Sequence, residues 1–169
     1  HKEELERRSK SEKQAEAQLR EELEALKQRS LALLQASGKN MENISDLYPM
    51  SDIEKGMIFE SIIDMGKGIY HDQKVFQRSF TDFDSFCFEK ALGLMMEKHS
   101  ILRSSFHLEE FETEIKIVHQ KAGVPYEYID LRAKSRKQQE EAVKAYMKKE
   151  LERSFIINQA PLWRMTAFN

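Results

Sequence analysis

The sequence predicts an α/β protein in which helices pack on a sheet, preceded by one long helix. Three observations carry that prediction. From Ile44 onward, helical and strand-like patterns alternate along the chain, the sequence mark of layered helix and sheet. Around Lys98 to Phe106 an apolar helix hands over directly to a run too apolar for a solvated surface. Before Ile44 the composition is different: residues 1–39 are packed with Glu, Lys, Arg, Gln and Ala and hold no proline or aromatic residue, so the chain divides into a charged helix at 1–39 and a folded domain at 44–169.

Composition narrows the class of function. The 169 residues suffice for one domain with a real core. A formal net charge of -2, with 33% charged residues, provides no basic field of the kind that drives binding to nucleic acid or anionic membrane. Cys87 is the single cysteine, which rules out an internal disulfide and fits a reducing, cytoplasmic setting. No apolar run approaches the length of a membrane span. His1 in place of Met reads as a tag remnant or a segment of a longer polypeptide.

In the first helix Leu5, Leu19, Leu26 and Leu33 fall on a seven-residue spacing that Glu12 interrupts. Two readings stay open, a solvated linker helix whose last turns lean on the domain and a docking or dimerising helix. Gly38 is placed as a helix-ending glycine. Ser51 and Glu54 form a capping box that opens a helix carrying Ile53, Met57, Ile58, Ser61 and Ile62. Gly66-Lys67-Gly68 predicts a turn, and Tyr70 to Phe80 has the alternation of a strand. Asp84 is a natural N-cap for a helix whose apolar face is Phe88, Ala91, Leu92, Met95 and His99. A strand is expected over Ile101 to Leu108, a charged hairpin tip at Glu109 to Glu114, and a returning strand on which Ile115, Ile117 and His119 alternate. Tyr126 to Leu131 reads as a short strand. Ser135 and Gln138 open a helix with Val143, Tyr146, Met147 and Leu151 on one face, and a last strand begins within Ala160 to Phe168.

Two of these stretches resemble known motifs. Lys98-His99 followed by Leu102-Arg103-Ser104 and Phe106 is similar to the second core motif of nonribosomal peptide synthetase condensation domains. Lys98 stands for the usual arginine, Ser100 for a glutamate and Ser104 for a threonine. Upstream, Tyr48-Pro49-Met50-Ser51 followed by Gly56-Met57-Ile58-Phe59 resembles the first motif, with Glu54 where glutamine is usual. Tyr70 to Gln73 and Ala160-Pro161-Leu162-Trp163-Arg164 are weaker likenesses in the expected order. The resemblance implies the N-terminal lobe of a two-lobed fold related to chloramphenicol acetyltransferase, an α/β sandwich of mixed sheet with helices packed on it. It also implies an antibiotic-forming or secondary-metabolite enzyme that joins an acyl or peptidyl thioester on one carrier protein to the amine of an aminoacyl thioester on a second. By that resemblance no cofactor is bound directly; phosphopantetheine arrives on upstream and downstream carrier proteins, and the remaining C-terminal lobe is a further partner. The defining His-His-x-x-x-Asp-Gly segment is not in the sequence, so no catalytic residue is assigned. The alternative is a non-catalytic docking module for carriers or synthase subunits.

The site residues expected from the motifs are Ser51, His99 and Arg103, as tunnel lining or structural elements. A histidine at a helix end is favoured by the macrodipole, and that capping role is the simpler reading of His99. Arg103 cannot lose its proton, so it must be a buried pin on carbonyls or carboxylates, a channel lining, or both. His107 and His119 are placed to face each other across a hairpin, without the companions of a metal site. Cys87 reads as a packed small hydrophobe, and the charges from Lys134 to Lys149 as a solvated face that would also suit an acidic carrier helix.

Overall fold

A computed structural model describes residues 2–38, 41–63 and 70–169. Helix α1 runs from Lys2 to Ala36 without a helix breaker and ends at Gly38, whose φ of 70° is the left-handed conformation that glycine adopts without a Cβ clash. Strand β1 (Ile44–Pro49) pairs antiparallel with β3 (Ile115–His119), which pairs antiparallel with β2 (Ser104–His107), giving the order β1-β3-β2. Leu47 lies opposite Ile117 and Ser105 opposite the same residue on the other side, so these side chains share one face.

The last turns of α1 cover that face. Leu34, Leu47, Ile115 and Ile117 form one buried cluster, with Leu26, Leu31, Met41, Ile44 and Phe111 packed around it. The contact stripe on α1 runs through Leu23, Leu26, Lys27, Ser30 and Leu34, three and four residues apart. This corrects the seven-residue row: Leu19 and Leu33 are exposed, and the side chain of Leu5 lies outside the described residues. At about 100° per residue these stripe positions lie within about 60° of the direction of Leu23, whereas Leu33 is turned about 80° away from it, and Leu19 lies one turn before the contact begins.

Helix α2 (Asp52–Ile63) starts at the Ser51–Glu54 box, but it buries no residue fully, and Ile53 and Met57 are exposed. Helix α3 (Ser85–Lys98) is capped by the Asp84 carboxylate, which accepts from the Cys87 backbone at 2.9 Å. Its buried residues are Leu92 and Met96; Ala91, Met95 and His99 of the expected face are exposed. Cys87 is exposed as well, not packed in a core. A 3-10 turn, Ser100–Arg103, separates α3 from β2, so the strand expected from Ile101 begins at Ser104 and Ile101 faces solvent.

Strands β4 (Tyr126–Ile129) and β5 (Met165–Phe168) form a parallel pair, connected by α4 (Arg136–Glu152). Both halves of the Ser135–Gln138 capping box are present. On the inner face of α4 half-buried Glu150 takes a place that apolar periodicity gave to Leu151, which is exposed. Residues 71–80 form no strand, contrary to the alternation of Tyr70 to Phe80. A strand exists only where its amides find a ladder, and this run has none among the described residues. It is held instead by Gln73, which donates to the Met147 carbonyl at 3.1 Å, and by His71 against the Phe155 ring. The turn at Gly66 to Gly68 lies outside the described residues.

Candidate functional site

The junction of α3 with β2 is locked by one side chain. Arg103 donates from Nε to the His119 carbonyl at 2.8 Å, and from Nη1 to the carbonyls of Met96 at 2.9 Å and Glu97 at 3.3 Å. The last carbonyls of a helix lack intrahelical partners and carry the negative end of the macrodipole, so a half-buried guanidinium satisfies both needs at once. Its fork reaches α3 and β3 together because it is planar and holds several donors. The Ser104 hydroxyl donates to the Ser100 carbonyl at 3.0 Å and tightens the same corner. Trp163 Nε1 donates to the Leu102 carbonyl at 2.9 Å, which brings the approach to β5 onto the 3-10 turn. His99 closes α3 with its backbone amide on the Met95 carbonyl, and the residue is exposed.

Ser51 sits at the far edge of the same sheet. Its amide and hydroxyl both meet Glu54 Oε2 at 2.9 Å, and Lys116 of β3 donates to Glu54 Oε1 at 2.6 Å. Burial pushes the Glu54 carboxyl up, but bonds from Lys116 and Ser51 outweigh it and hold the group below its ordinary value. Lys55 pairs with Glu114 at 3.0 Å. Ser51, His99 and Arg103 therefore do not converge on one point: Arg103 and His99 belong to the α3 junction and Ser51 to the α2 start.

A second cluster lies under the α1-covered face. Ser105, with no exposed surface, holds His107 Nε2 at 3.1 Å and His119 Nε2 at 2.7 Å, and His107 Nδ1 meets Glu110 at 3.0 Å. The two histidines do face each other across the β2–β3 hairpin, with a hydroxyl between them. Ser105 went unrecognised in the sequence, although its place two residues before His107 on one strand is the signal that finds it. One proton order satisfies every bond: His119 Nε2–H donates to Ser105, Ser105 O–H to His107 Nε2, and His107 Nδ1–H to Glu110. Burial lowers the His119 pKa from its ordinary value, and the neighbouring His107 lowers it further. The full burial of Ser105 keeps this relay from serving as an accessible nucleophile. At Cys87 the hydrogen bond with Asp84 and that carboxylate's field raise the thiol pKa, which suppresses thiolate chemistry.

Comparison with known proteins places most of the chain in a family. The sequence model of the Condensation domain matches residues 44–169. One linear gramicidin synthase protein of Brevibacillus parabrevis is 32% identical over 146 residues, covering 86% of this chain and 2% of that one. That match is longer than the stretch from Ile44 to Asn169, so it takes in part of α1. A second linear gramicidin synthase protein of the same organism is 33% identical over 125 residues, 74% of this chain and 2% of that protein. Bacitracin synthase 3 of Bacillus licheniformis is 29% identical over 126 residues, 75% of this chain and 2% of that one. The chain thus spans about a fiftieth of these relatives. A solved structure described as "The crystal structure of CT mutant" shares the fold at a TM-score of 0.51 and 18% identity, over 83% of this chain and 30% of that one. Mixed helix and sheet and the family match agree, and over residues 44–169 the chain belongs to the condensation-domain family of nonribosomal peptide synthetases.

Proposed function

We propose that the chain is the N-terminal part of a condensation domain that forms an amide between an acyl or peptidyl thioester on one carrier protein and an aminoacyl thioester on a second. The observation that carries this reading is the α3–β2 junction, where the motif-like run Lys98 to Phe106 folds into a corner fixed by Arg103. Amide formation from a thioester needs an oriented amine and exclusion of water. The chain's part is to give that site a rigid wall, with His99 and Arg103 beside the channel for the phosphopantetheine arms and Ser51 fixing the start of α2. The adjacent-histidine segment of the family is not in this sequence, so the chain by itself is read as inactive. Upstream and downstream carriers and the C-terminal lobe are the partners, in a cytoplasmic setting. None of the described helices is long and apolar enough to cross a membrane.

The test uses the whole parent domain. Its reading frame is followed past Asn169, and the complete domain is mixed with one acyl-loaded and one aminoacyl-loaded carrier, with product read by mass spectrometry. The expected result is a His-His-x-x-x-Asp-Gly segment and a carrier-dependent amide that falls at least tenfold in His99→Ala. A parent without that segment, or one that binds both carriers and makes no amide, overturns the catalytic reading. The docking-module reading then stands, favoured by the exposed surface of α1 from Lys10 to Glu22.

A further inference from the structure

The family match begins at Ile44, yet the buried core does not. Leu34 of α1 is 3% exposed and Ser30 is 2% exposed, and Leu34 shares one cluster with Leu47, Ile115 and Ile117. Polar contacts fix the register of that packing. Lys27 donates to Asp46 at 2.5 Å with its cation 4.5 Å over the Tyr48 ring, and Tyr48 donates to the same carboxylate. Burial lowers the Lys27 pKa and raises that of Asp46, but each partner outweighs the burial of the other, so both stay charged. Arg29 reaches Glu112 at 3.7 Å at the hairpin tip. Hydrophobic side chains and these ion pairs clamp the helix from both sides of its contact stripe.

The other half of α1 is solvated. Every residue from Lys10 to Glu22 is exposed, and the helix passes from docked to solvated turns with no glycine, proline or break. Nucleation is the costly step in helix formation, and here the docked turns supply the nucleus from which the solvated turns propagate. Side-chain pairs at spacing four, Glu16 with Arg20 at 2.8 Å, Gln18 with Glu22 at 3.1 Å and Glu24 with Gln28 at 3.0 Å, support it along its length. From Glu4 to Glu22 the axis rises about 27 Å at 1.5 Å per residue.

We infer that α1 is a rigid strut seated in the β1–β3–β2 sheet, so that the chain ahead of it is held at a fixed distance and direction from the domain instead of on a free tether. Its seat is this chain's own sheet face, which makes residues from Leu23 onward part of the folded unit and sets the domain boundary inside the helix. The gramicidin synthase relative whose match enters α1 is many times longer than this chain. An upstream domain carried on such a strut samples a narrow cone of positions, and its payload meets the domain at a set place.

Pulsed double electron–electron resonance on the full chain tests this. One spin label goes on the native, exposed Cys87 and a second on Gln14→Cys in the solvated half. The expected distance distribution is a single narrow peak. Inserting three glycines between Glu22 and Leu23 is expected to widen it several-fold. Lys27→Glu widens it too, and the exchanged pair Lys27→Glu with Asp46→Lys narrows it again, while circular dichroism confirms that each variant keeps its fold. A broad distribution in the unaltered chain overturns the inference, as does a Lys27→Glu peak as narrow as the original. Neither carrier protein nor amide formation enters the measurement, so its failure is distinct from failure of the catalytic reading.

Discussion

At the scale of single residues, the histidine pair around Ser105 sets a pH response close to neutrality. Two imidazoles share one hydroxyl proton, and the Glu110 carboxylate lies at the His107 end. Arg103, bonded to the His119 carbonyl, is a further cation on the His119 side. If His119 takes a proton, a cation forms in the buried relay beside His107, with Glu110 at the far end from the new charge. Its folded pKa therefore lies below the ordinary 6.5, first because of burial and then because of His107. In the unfolded chain His119 binds its proton near 6.5, so the unfolded state carries more protons as pH falls through that value. Stability from this site is complete above about 6.5 and declines below it. The lowered carboxyls Asp46, Glu54 and Glu150 act in a separate window, since their stabilising charge is lost only below the ordinary carboxylate range. The urea midpoint is expected to fall between about pH 7.5 and about pH 5.5, and His119→Asn, which keeps a polar partner for Ser105 without titrating, is expected to flatten that slope. An unchanged slope in the variant would assign the effect to other groups.

At the scale of elements, two helices end in the same way. Arg103 caps α3 from the turn that follows it, and Arg164 caps α4 from the approach to β5, donating to Glu150 Oε2 at 2.7 Å and to the Arg153 carbonyl at 2.7 Å, with its guanidinium 4.0 Å from the Phe155 ring centre. Each arginine ties a helix end to the strand layer behind it. Lysine brings one point charge to a site built for a planar fork. Arg103→Lys is thus expected to cost about 1–3 kcal/mol, the range for leaving buried polar groups unsatisfied. Urea unfolding measures it, and hydrogen exchange should open first in the last turn of α3. What the sequence made visible at this scale was local: the caps at Ser51, Asp84 and Ser135 depend on residues three apart, and each is present. The partners of Arg103 were not visible, because Met96 and His119 carbonyls converge only through tertiary packing. The same limit explains Tyr70 to Phe80, whose alternation describes a strand that has no ladder here, and Cys87, whose helix turns it outward. Arg164 was seen as part of a family-like run, but its role required the position of Glu150.

At the scale of the whole molecule, order is distributed unevenly between the two halves of the domain. The β1-β3-β2 sheet is covered by α1, paired along both sides of β3, and joined to the later chain where the Phe106 amide donates to the Ile157 carbonyl at 2.8 Å. By contrast, residues 74–80 are exposed throughout, with Phe76 at 75% and Phe80 at 65%, and their backbone enters no ladder. Local opening tracks the number of buried contacts and backbone bonds that must break. A protease that needs an extended segment should therefore find Lys74 and Arg78 long before Lys116, whose strand is paired on both sides. Limited trypsin digestion of the folded chain is expected to cut first within the domain at Lys74 or Arg78, leaving a C-terminal piece that carries α3, β2, β3 and α4 and remains associated with the α1–α2 piece through the β1–β3 ladder. Mass spectrometry of early time points identifies the cut, and size exclusion without denaturant reads the association. Early cleavage at Lys116, or dissociation of the two pieces as soon as the cut forms, would contradict this order of stability and would move the weak point of the domain from the unpaired run to the sheet itself.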